Sequence, residues 1–355
     1  MSPQLSLELL HFQLTSRCNL ACSFCGQWGE HGFNRKKTVN DDISPEIWLK
    51  AARSVADYCR QRNIPLPSLE LWGGEPLLYR DFDTLIPELG KLGFRIGLVS
   101  NGSMLQEKAE LINEYVKVLF VSIDGFGEEH DRIRRSPGLF KKIEEGLLAI
   151  GPHVKKSALC VISSQNRKLL PELPLKLENL NLDNLIVQNL IFTNEADAEK
   201  YRQWLSSEFS IEARNVSSWI NDDWKSYIDE LPEIIRIMKG NISRGVYRLD
   251  TCILPREETP ENVLDWYCAQ DGIKPEENQA GFCITPFKHM QVLADGRITP
   301  CVDFNDFYAG NIVTDNIIDV WQGKLMEKFR HGIQNGCNPL CKRCPWRYNT
   351  SFCMT

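Results

Sequence analysis

No stretch of this 355-residue chain stays apolar for anything like the ~18 residues of a membrane span. The opening MSPQLSLELLHFQL lacks the positive start and the small-residue cleavage site of a secretory signal. Basic residues are not in excess either. Lys+Arg number 41 against 47 Asp+Glu, a formal charge of −6, and the pI is about 5.7. That balance excludes a strongly basic nucleic-acid binder. With no span and no signal, it predicts a cytoplasmic protein that partners neither nucleic acid nor membrane. Low-complexity tracts and internal repeats are also missing. The rest is ordinary globular composition, 43% hydrophobic and 25% charged, long enough for one large core or a large domain plus a smaller one.

Cysteine is plentiful, at 13 residues. An odd number in a large chain without a signal argues against a disulfide framework. Three fall at positions 18, 22 and 25, and six lie from 283 onward. Tight clusters of this kind point to metal ligation. The other four (Cys59, Cys160, Cys252, Cys268) read as ordinary small buried or partly buried residues.

Through residue 194 the chain alternates short β-rich runs with helical stretches. Strands are expected at Leu9–Leu14, Leu69–Trp72, Arg95–Ser100, Val116–Ile123, Ser157–Ile162 and Leu185–Ile191, with helices at Ser44–Arg62, Phe82–Leu92 and Gly138–Ala149. Six strand–helix units in series predict an α/β fold with a parallel sheet, open or curled into a partial barrel. In such folds functional groups gather at the C-terminal ends of the strands. From 195 to 280 strand signals fade, and an acidic, Trp-rich stretch with a helix over Asp223–Lys239 reads as a helical connection or insertion. From 281 to 355 a hairpin (Met290–Leu293, turn Ala294-Asp295-Gly296, Arg297–Pro300) precedes a helix over Ile317–His331 and a Cys-rich tail.

Cys18-x3-Cys22-x2-Cys25 sets three thiols on a loop after the first strand. Soft thiolates suit an iron–sulfur cluster or zinc, and His31 is a possible fourth zinc ligand. The spacing alone leaves both open. Further on, the second strand runs into Trp72-Gly73-Gly74-Glu75-Pro76, where two glycines permit close backbone approach and a carboxylate can accept from an amine. The third ends in Ser100-Asn101-Gly102 and the fourth in Ser122-Ile123-Asp124-Gly125.

In that order these motifs, with Phe24 before the last cysteine, resemble the radical S-adenosylmethionine (SAM) superfamily over about residues 9–191. The resemblance implies a partial (β/α)6 TIM-like barrel and a [4Fe–4S] cluster held by Cys18, Cys22 and Cys25. It further implies SAM chelated at the open iron, and reductive cleavage to a 5′-deoxyadenosyl radical that takes a hydrogen atom from substrate. Phe24, Gly73, Gly74, Glu75, Ser100, Asn101, Ser122, Asp124 and Asn166 are the implied cofactor contacts. The segment His130-Asp131-Arg132-Ile133-Arg134 also resembles the family, although its arginines read more readily as solvated.

The second cysteine set, with Asp295-Gly296 and Gly310-Asn311 between its members, resembles the SPASM/Twitch auxiliary-cluster domain, a small α+β unit. The full form needs further cysteines where this chain has Thr350 and Met354. The resemblance therefore implies the shorter Twitch form with one auxiliary [4Fe–4S] cluster on Cys283, Cys301, Cys341 and Cys344. Cys337 and Cys353 are left as free thiols. A cluster without an open iron suits electron acceptance, so the expected reaction is an oxidation, with Asp303 a candidate base. An external one-electron reductant of flavodoxin or ferredoxin type is implied. The first strand begins close to the start, which leaves no room for an N-terminal peptide-recognition domain. That favours a polar small molecule, such as a sugar or aminocyclitol, over the alternative of a peptide substrate. A non-catalytic iron–sulfur or zinc protein is the third possibility.

Overall fold

The computed structural model describes residues 5–35, 42–242, 248–252, 259–268 and 282–344. Strand β1 (Leu9–Thr15) is buried at every position. Helix α1 (Pro45–Arg62) starts with Pro45 in its first turn and stops at Asn63 in the left-handed region. It buries Trp48, Leu49, Ala52, Val55, Ala56 and Cys59 along one stripe. The alternation continues through β2 (Ser68–Gly73), α2 (Phe82–Lys91), β3 (Ile96–Ser100), α3 (Ala109–Tyr115), β4 (Val116–Ser122), α4 (Gly127–Arg134), α5 (Leu139–Ala149), β5 (Lys155–Ile162), α6 (Leu173–Lys176) and β6 (Asn184–Asn189). All six strands expected from the sequence are present, within a few residues of the predicted ends.

The middle zone differs from expectation. It holds α7 (Glu195–Phe209), α8 (Leu231–Ile242), a seventh strand β7 (Arg248–Cys252) and α9 (Pro260–Cys268). The predicted helix over Asp223–Lys239 is a 3-10 turn at Asp223–Ser226 followed by α8. Pro232 is the reason, since proline fits only a first helical turn and so fixes where α8 begins. Strand β7 was missed because Arg248–Cys252 reads RLDTC, without apolar alternation.

The C-terminal zone comprises α10 (Thr285–Lys288), β8 (His289–Val292), β9 (Arg297–Thr299), β10 (Gly310–Asn311), α11 (Ile317–Trp321) and α12 (Lys324–Gln334). The single helix expected over Ile317–His331 is broken at Gly323, whose extended backbone caps α12. The hairpin turn carries Gly296 at φ 85, and a Cβ there would sit 2.4 Å from Asn311 Oδ1. Asn311 in turn donates to the Asp295 carbonyl at 3.0 Å. The Asp-Gly and Gly-Asn pairs of the sequence thus form one joint.

One sheet runs through all three zones, in the order β10-β9-β8-β1-β2-β3-β4-β5-β6-β7. Strands β8 and β1 to β7 are parallel, and only the β8–β9–β10 edge is antiparallel. This is the expected α/β partial barrel with a small C-terminal α+β region joined to it edge to edge. Alternation along each strand sorts the side chains. One set (Leu10, Phe12, Leu69, Leu71, Leu98, Leu119, Val121) packs under the helices in the main core. The other set faces the inside of the curl. At the C-terminal strand ends that inner set becomes the wall of a cavity. Among the described residues, no helix is long and apolar enough to cross a membrane.

Candidate active site

The cavity holds about 240 Å3. Its floor is the last inward-facing residue of several strands: Trp72 of β2, Val99 of β3, Ser122 of β4, Val161 of β5 and Gln188 of β6. Its roof is the loop that follows β1, carrying Cys18, Cys22, Phe24 and Cys25, and Gly73, Gly74, Ser100 and Asn101 complete one side. The three cysteines and six of the nine expected cofactor contacts are therefore brought together around one space.

That loop is shaped by its own backbone. The Cys25 N–H donates to the Cys22 carbonyl at 3.1 Å and Gly29 N–H to the Cys25 carbonyl at 2.7 Å. The Cys18 sulfur accepts from Leu20 N–H at 3.4 Å, and the Cys25 sulfur from Trp28 N–H at 3.4 Å. Gly74 N–H and Glu75 N–H reach across to the carbonyls of Thr15 and Arg17 at 2.9 and 2.7 Å. A Cβ on Gly73 would lie 2.5 Å from Thr15 O, and one on Gly74 only 2.2 Å from Arg17 O. The glycine pair is thus required by the chain's own cysteine loop, in addition to any ligand.

Burial pushes the Cys18 thiol up to about 12 and raises Cys22 as well, with the Arg134 charge opposing the rise at Cys22. Such thiols lose their protons on binding a soft metal. None of the described cysteines is in a disulfide. Among the described residues no three His, Cys, Asp or Glu side chains converge closely enough to share one metal ion. His31, the alternative zinc ligand, lies in the wall of a separate groove. The donor set fits a cluster of several irons, which spreads its thiolates, better than a single zinc.

Three expected contacts sit behind the cavity wall instead of in it. Glu75 is fully buried, and burial lifts its carboxyl to about 7. It accepts from Ser100 Oγ at 2.9 Å, Asn101 N–H at 2.7 Å and Leu77 N–H at 3.2 Å, tying the ends of β2 and β3 together. Asp124, also fully buried, accepts from Arg134 Nε at 2.6 Å and Val161 N–H at 2.8 Å. Asn166 accepts from Ser163 N–H at 2.8 Å and donates to the Val161 and Asp124 carbonyls at 2.8 and 3.1 Å, so it caps a loop.

Gln188, Asn189 and Trp219 line the cavity without having been singled out, and so does Arg134, which the sequence read as solvated and which is buried. Cysteines aside, Arg134 is the one charged side chain among the described residues lining it. Its guanidinium lies 5.6 Å from the centre of the Phe24 ring, and its carbonyl accepts from the Cys22 thiol at 3.8 Å. Arg132, by contrast, is exposed and pairs with Glu129 at 2.8 Å. The signal for Arg134 was its place on α4: His130, Ile133 and Arg134 form the buried stripe. His130 is fully buried, and desolvation pulls its imidazole down to about 3, so it stays neutral. Trp219 comes from the Trp-rich stretch and rests on Gly26, where a Cβ would fall within 2.3 Å of the indole.

The second cysteine set also converges. Cys283, Cys301 and Cys341 pack with Phe304, Phe307 and Phe329 in a core of their own. Burial raises the Cys301 thiol to about 12 and Cys344 well above its usual range, and the charges of Asp303 and the neighbouring cysteines add to both. Two buried and two half-buried soft donors fit a closed metal centre. Cys337 is exposed, and Cys353 lies outside the described residues, as do Thr350 and Met354. Asp303 accepts from the Cys344 thiol at 3.8 Å and is not among the described residues lining the cavity. Asp306 ties this region to the middle zone by accepting from the N–H groups of Arg214, Asn215 and Val216 at 2.8, 2.7 and 3.1 Å.

Comparison with known proteins accords with this geometry. A cofactor-modifying protein for tungsten-containing aldehyde ferredoxin oxidoreductase from Pyrococcus furiosus is 22% identical over 98% of this chain and 90% of its own length. The sporulation killing factor maturation protein SkfB of Bacillus subtilis is 24% identical over 87% of the chain, which spans 63% of SkfB. Among solved structures, Streptococcus suis SuiB bound to S-adenosylmethionine superposes with a TM-score of 0.64 at 16% identity, covering 99% of this chain and 78% of SuiB. Native anSMEcpe with bound AdoMet gives 0.63 at 18% identity, over 95% and 88%. Residues 283–345 match the SPASM iron–sulfur cluster-binding domain. Residues 12–199, more than half of the chain, match the Radical SAM superfamily, and the chain is a radical SAM enzyme of the group that carries a SPASM auxiliary iron–sulfur domain.

Proposed function

We propose that this enzyme oxidises a peptide segment, with Cys18, Cys22 and Cys25 as ligands of the SAM-cleaving cluster. Cys283, Cys301, Cys341 and Cys344 are assigned as ligands of one auxiliary [4Fe–4S] cluster. When bound, SAM and the first cluster supply a radical that removes a hydrogen atom, using an electron from an external flavodoxin- or ferredoxin-like donor. The chain's own part is positioning. Gly73, Gly74, Ser100, Asn101 and Ser122 supply polar and backbone groups around SAM, with Phe24 packed beside it. Arg134 offers a cation to its carboxylate. Glu75, Asp124 and Asn166 act from behind, holding the strand ends in register.

The peptide reading rests on one observation. Beside the cavity, past Trp219, runs an open groove of about 980 Å3 walled by Glu30–Phe33, the turn at 210–218, and Arg297 and Tyr308. Its mixture of Arg35, Arg214, Glu30 and Glu212 suits a polar chain longer than one small molecule. A sugar-sized substrate has use for the cavity but none for the groove. The oxidation reading rests on four neighbouring thiols, two of them buried, leaving no open position for substrate.

The test is anaerobic reconstitution, followed by SAM, dithionite and candidate peptides. Iron equal to two four-iron clusters per chain, 5′-deoxyadenosine, and a peptide lighter by two hydrogens are expected. Cys283→Ala should keep 5′-deoxyadenosine formation and lose the oxidised peptide. One cluster plus one zinc per chain, or full oxidation by Cys283→Ala, would overturn the auxiliary role.

A further inference from the structure

The inner face of the sheet has two unlike halves. Along the middle of β3 to β6 it is apolar, with Val99, Val118, Phe120, Leu159 and Ile186 in one cluster, and polar residues such as Ser122, Ser157 and Gln188 come only toward the strand ends. Along β8, β1 and β2 it is polar. His11 lies level with Glu70 on one side and Gln291 on the other, and Gln13 lies level with Trp72. His11, Gln13, Glu70, His289 and Gln291 are all buried. Glu70 faces His11 Nδ1 at 3.5 Å, and the His289 ring centre is 5.8 Å from that of His11.

This polar half is not satisfied by the protein alone. Glu70 Oε2, both amide atoms of Gln291, and the Trp72 indole Nε1 are buried without a hydrogen-bond partner. Buried polar atoms are almost always paired, and where protein does not pair them ordered water does. The group also borders the reaction chamber. Trp72 lines the cavity, and Gln13 donates to Gln27, another lining residue, at 3.1 Å. Meanwhile no carboxylate, histidine or lysine is among the described residues of the cavity wall. A substrate that loses two hydrogens must give up a proton there, and the described residues of the wall offer no such acceptor.

We propose that buried water fills the polar half of the barrel from Trp72 to Glu70 and Gln291, and that this water carries the substrate's proton to Glu70. The proposal rests on the oxidation reading above. Its balance is simple. One hydrogen atom leaves the substrate for the deoxyadenosyl radical. The substrate radical then loses one electron to the auxiliary cluster and one proton to the water beside Trp72. That proton passes along the water to the Glu70 carboxylate, next to His11.

Neutron diffraction from D2O-exchanged crystals of the full chain tests the water directly. Deuterated water bonded to Glu70 Oε2 and the Gln291 amide, with deuterium on Trp72 Nε1, is expected. A dry interior with protium still on that indole refutes the proposal. The proton role is read as oxidised peptide formed per 5′-deoxyadenosine. Glu70→Gln should lower this ratio severalfold and Glu70→Asp should restore part of it. Gln291→Leu, which takes away a hydrogen-bond partner of that water without touching the carboxylate, should lower it too. An unchanged ratio in Glu70→Gln and Gln291→Leu removes the proton role even if the water is seen. A wild-type enzyme that forms no oxidised peptide counts against the oxidation reading, while the deuterium map still decides the interior.

Discussion

Arg134 and Asp124 form a pair in which neither member is dispensable to the other. The carboxylate is fully buried and the arginine side chain 10% exposed, with 2.6 Å between Nη2 and Oδ2. Removing one partner of such a pair strands the other's charge. Arg134→Met is therefore expected to lower the unfolding free energy by about 3–5 kcal/mol. Adding Asp124→Asn to the same chain should recover most of that loss. Denaturant titration of the wild type and both variants checks this, and equal losses in the two variants would count against a coupled pair. At this scale the sequence was readable where chemistry constrains residue type. Cysteines at metal-ligand spacing speak for themselves, and the seven proposed ligands lie in two separate groups, one after β1 and one in the C-terminal zone. Arg132 and Arg134 are identical in type and differ only in which side of a helix they occupy, so composition could not separate them. Glu75, Asp124 and Asn166 were assigned to a ligand because carboxylates and amides at strand ends serve ligands and backbone equally well. Only the hydrogen bonds distinguish the two uses.

At the scale of elements, the glycine pair after β2 decides how the cysteine loop sits. Gly74→Ala puts a methyl group 2.2 Å from the Arg17 carbonyl, a backbone atom that cannot swing aside. The loop must shift, and reconstituted protein should hold about half the wild-type iron, the auxiliary share. Gly240→Ala in α8 meets nothing within 4 Å and serves as the control. Iron per chain and the absorbance of the reconstituted proteins are the measurements; full iron in Gly74→Ala would contradict the packing argument. The β-rich runs of the first 190 residues were legible because each is short, apolar and closed by turn residues. Helix breaks were less so. Pro232 begins α8 and Gly323 divides α11 from α12, both local effects that apolar periodicity passes over. Strand β7 is polar enough to be invisible without its neighbour β6.

At the scale of the molecule, three compositional zones proved to share one sheet. Strand β8 pairs with β1 over Leu9–Phe12, and β9 and β10 extend the same edge. Arg330 of α12 fastens the region further, donating to the Pro286 and Trp321 carbonyls at 2.7 and 2.9 Å. A chain ending at residue 281 would leave β1, buried along its whole length here, with a bare backbone edge, the kind that pairs with other molecules. Such a truncation is expected to aggregate rather than survive as a barrel. Size-exclusion chromatography beside the full chain decides it, and a monomeric folded fragment would show the barrel to be self-sufficient. The zones looked separable because composition changes at their borders, whereas strand pairing across 280 residues leaves no local trace.

The β1–β8 pairing also sets an order of events during synthesis. Strand β1 acquires its second neighbour only after some 280 further residues have been made. Contacts so distant along the chain form slowly. Until they form, the loop bearing Cys18, Cys22 and Cys25 hangs from a half-paired strand. Iron delivered to a nascent chain would meet those thiols before their seat is finished, so loading of the first cluster belongs after β8 has been made and paired.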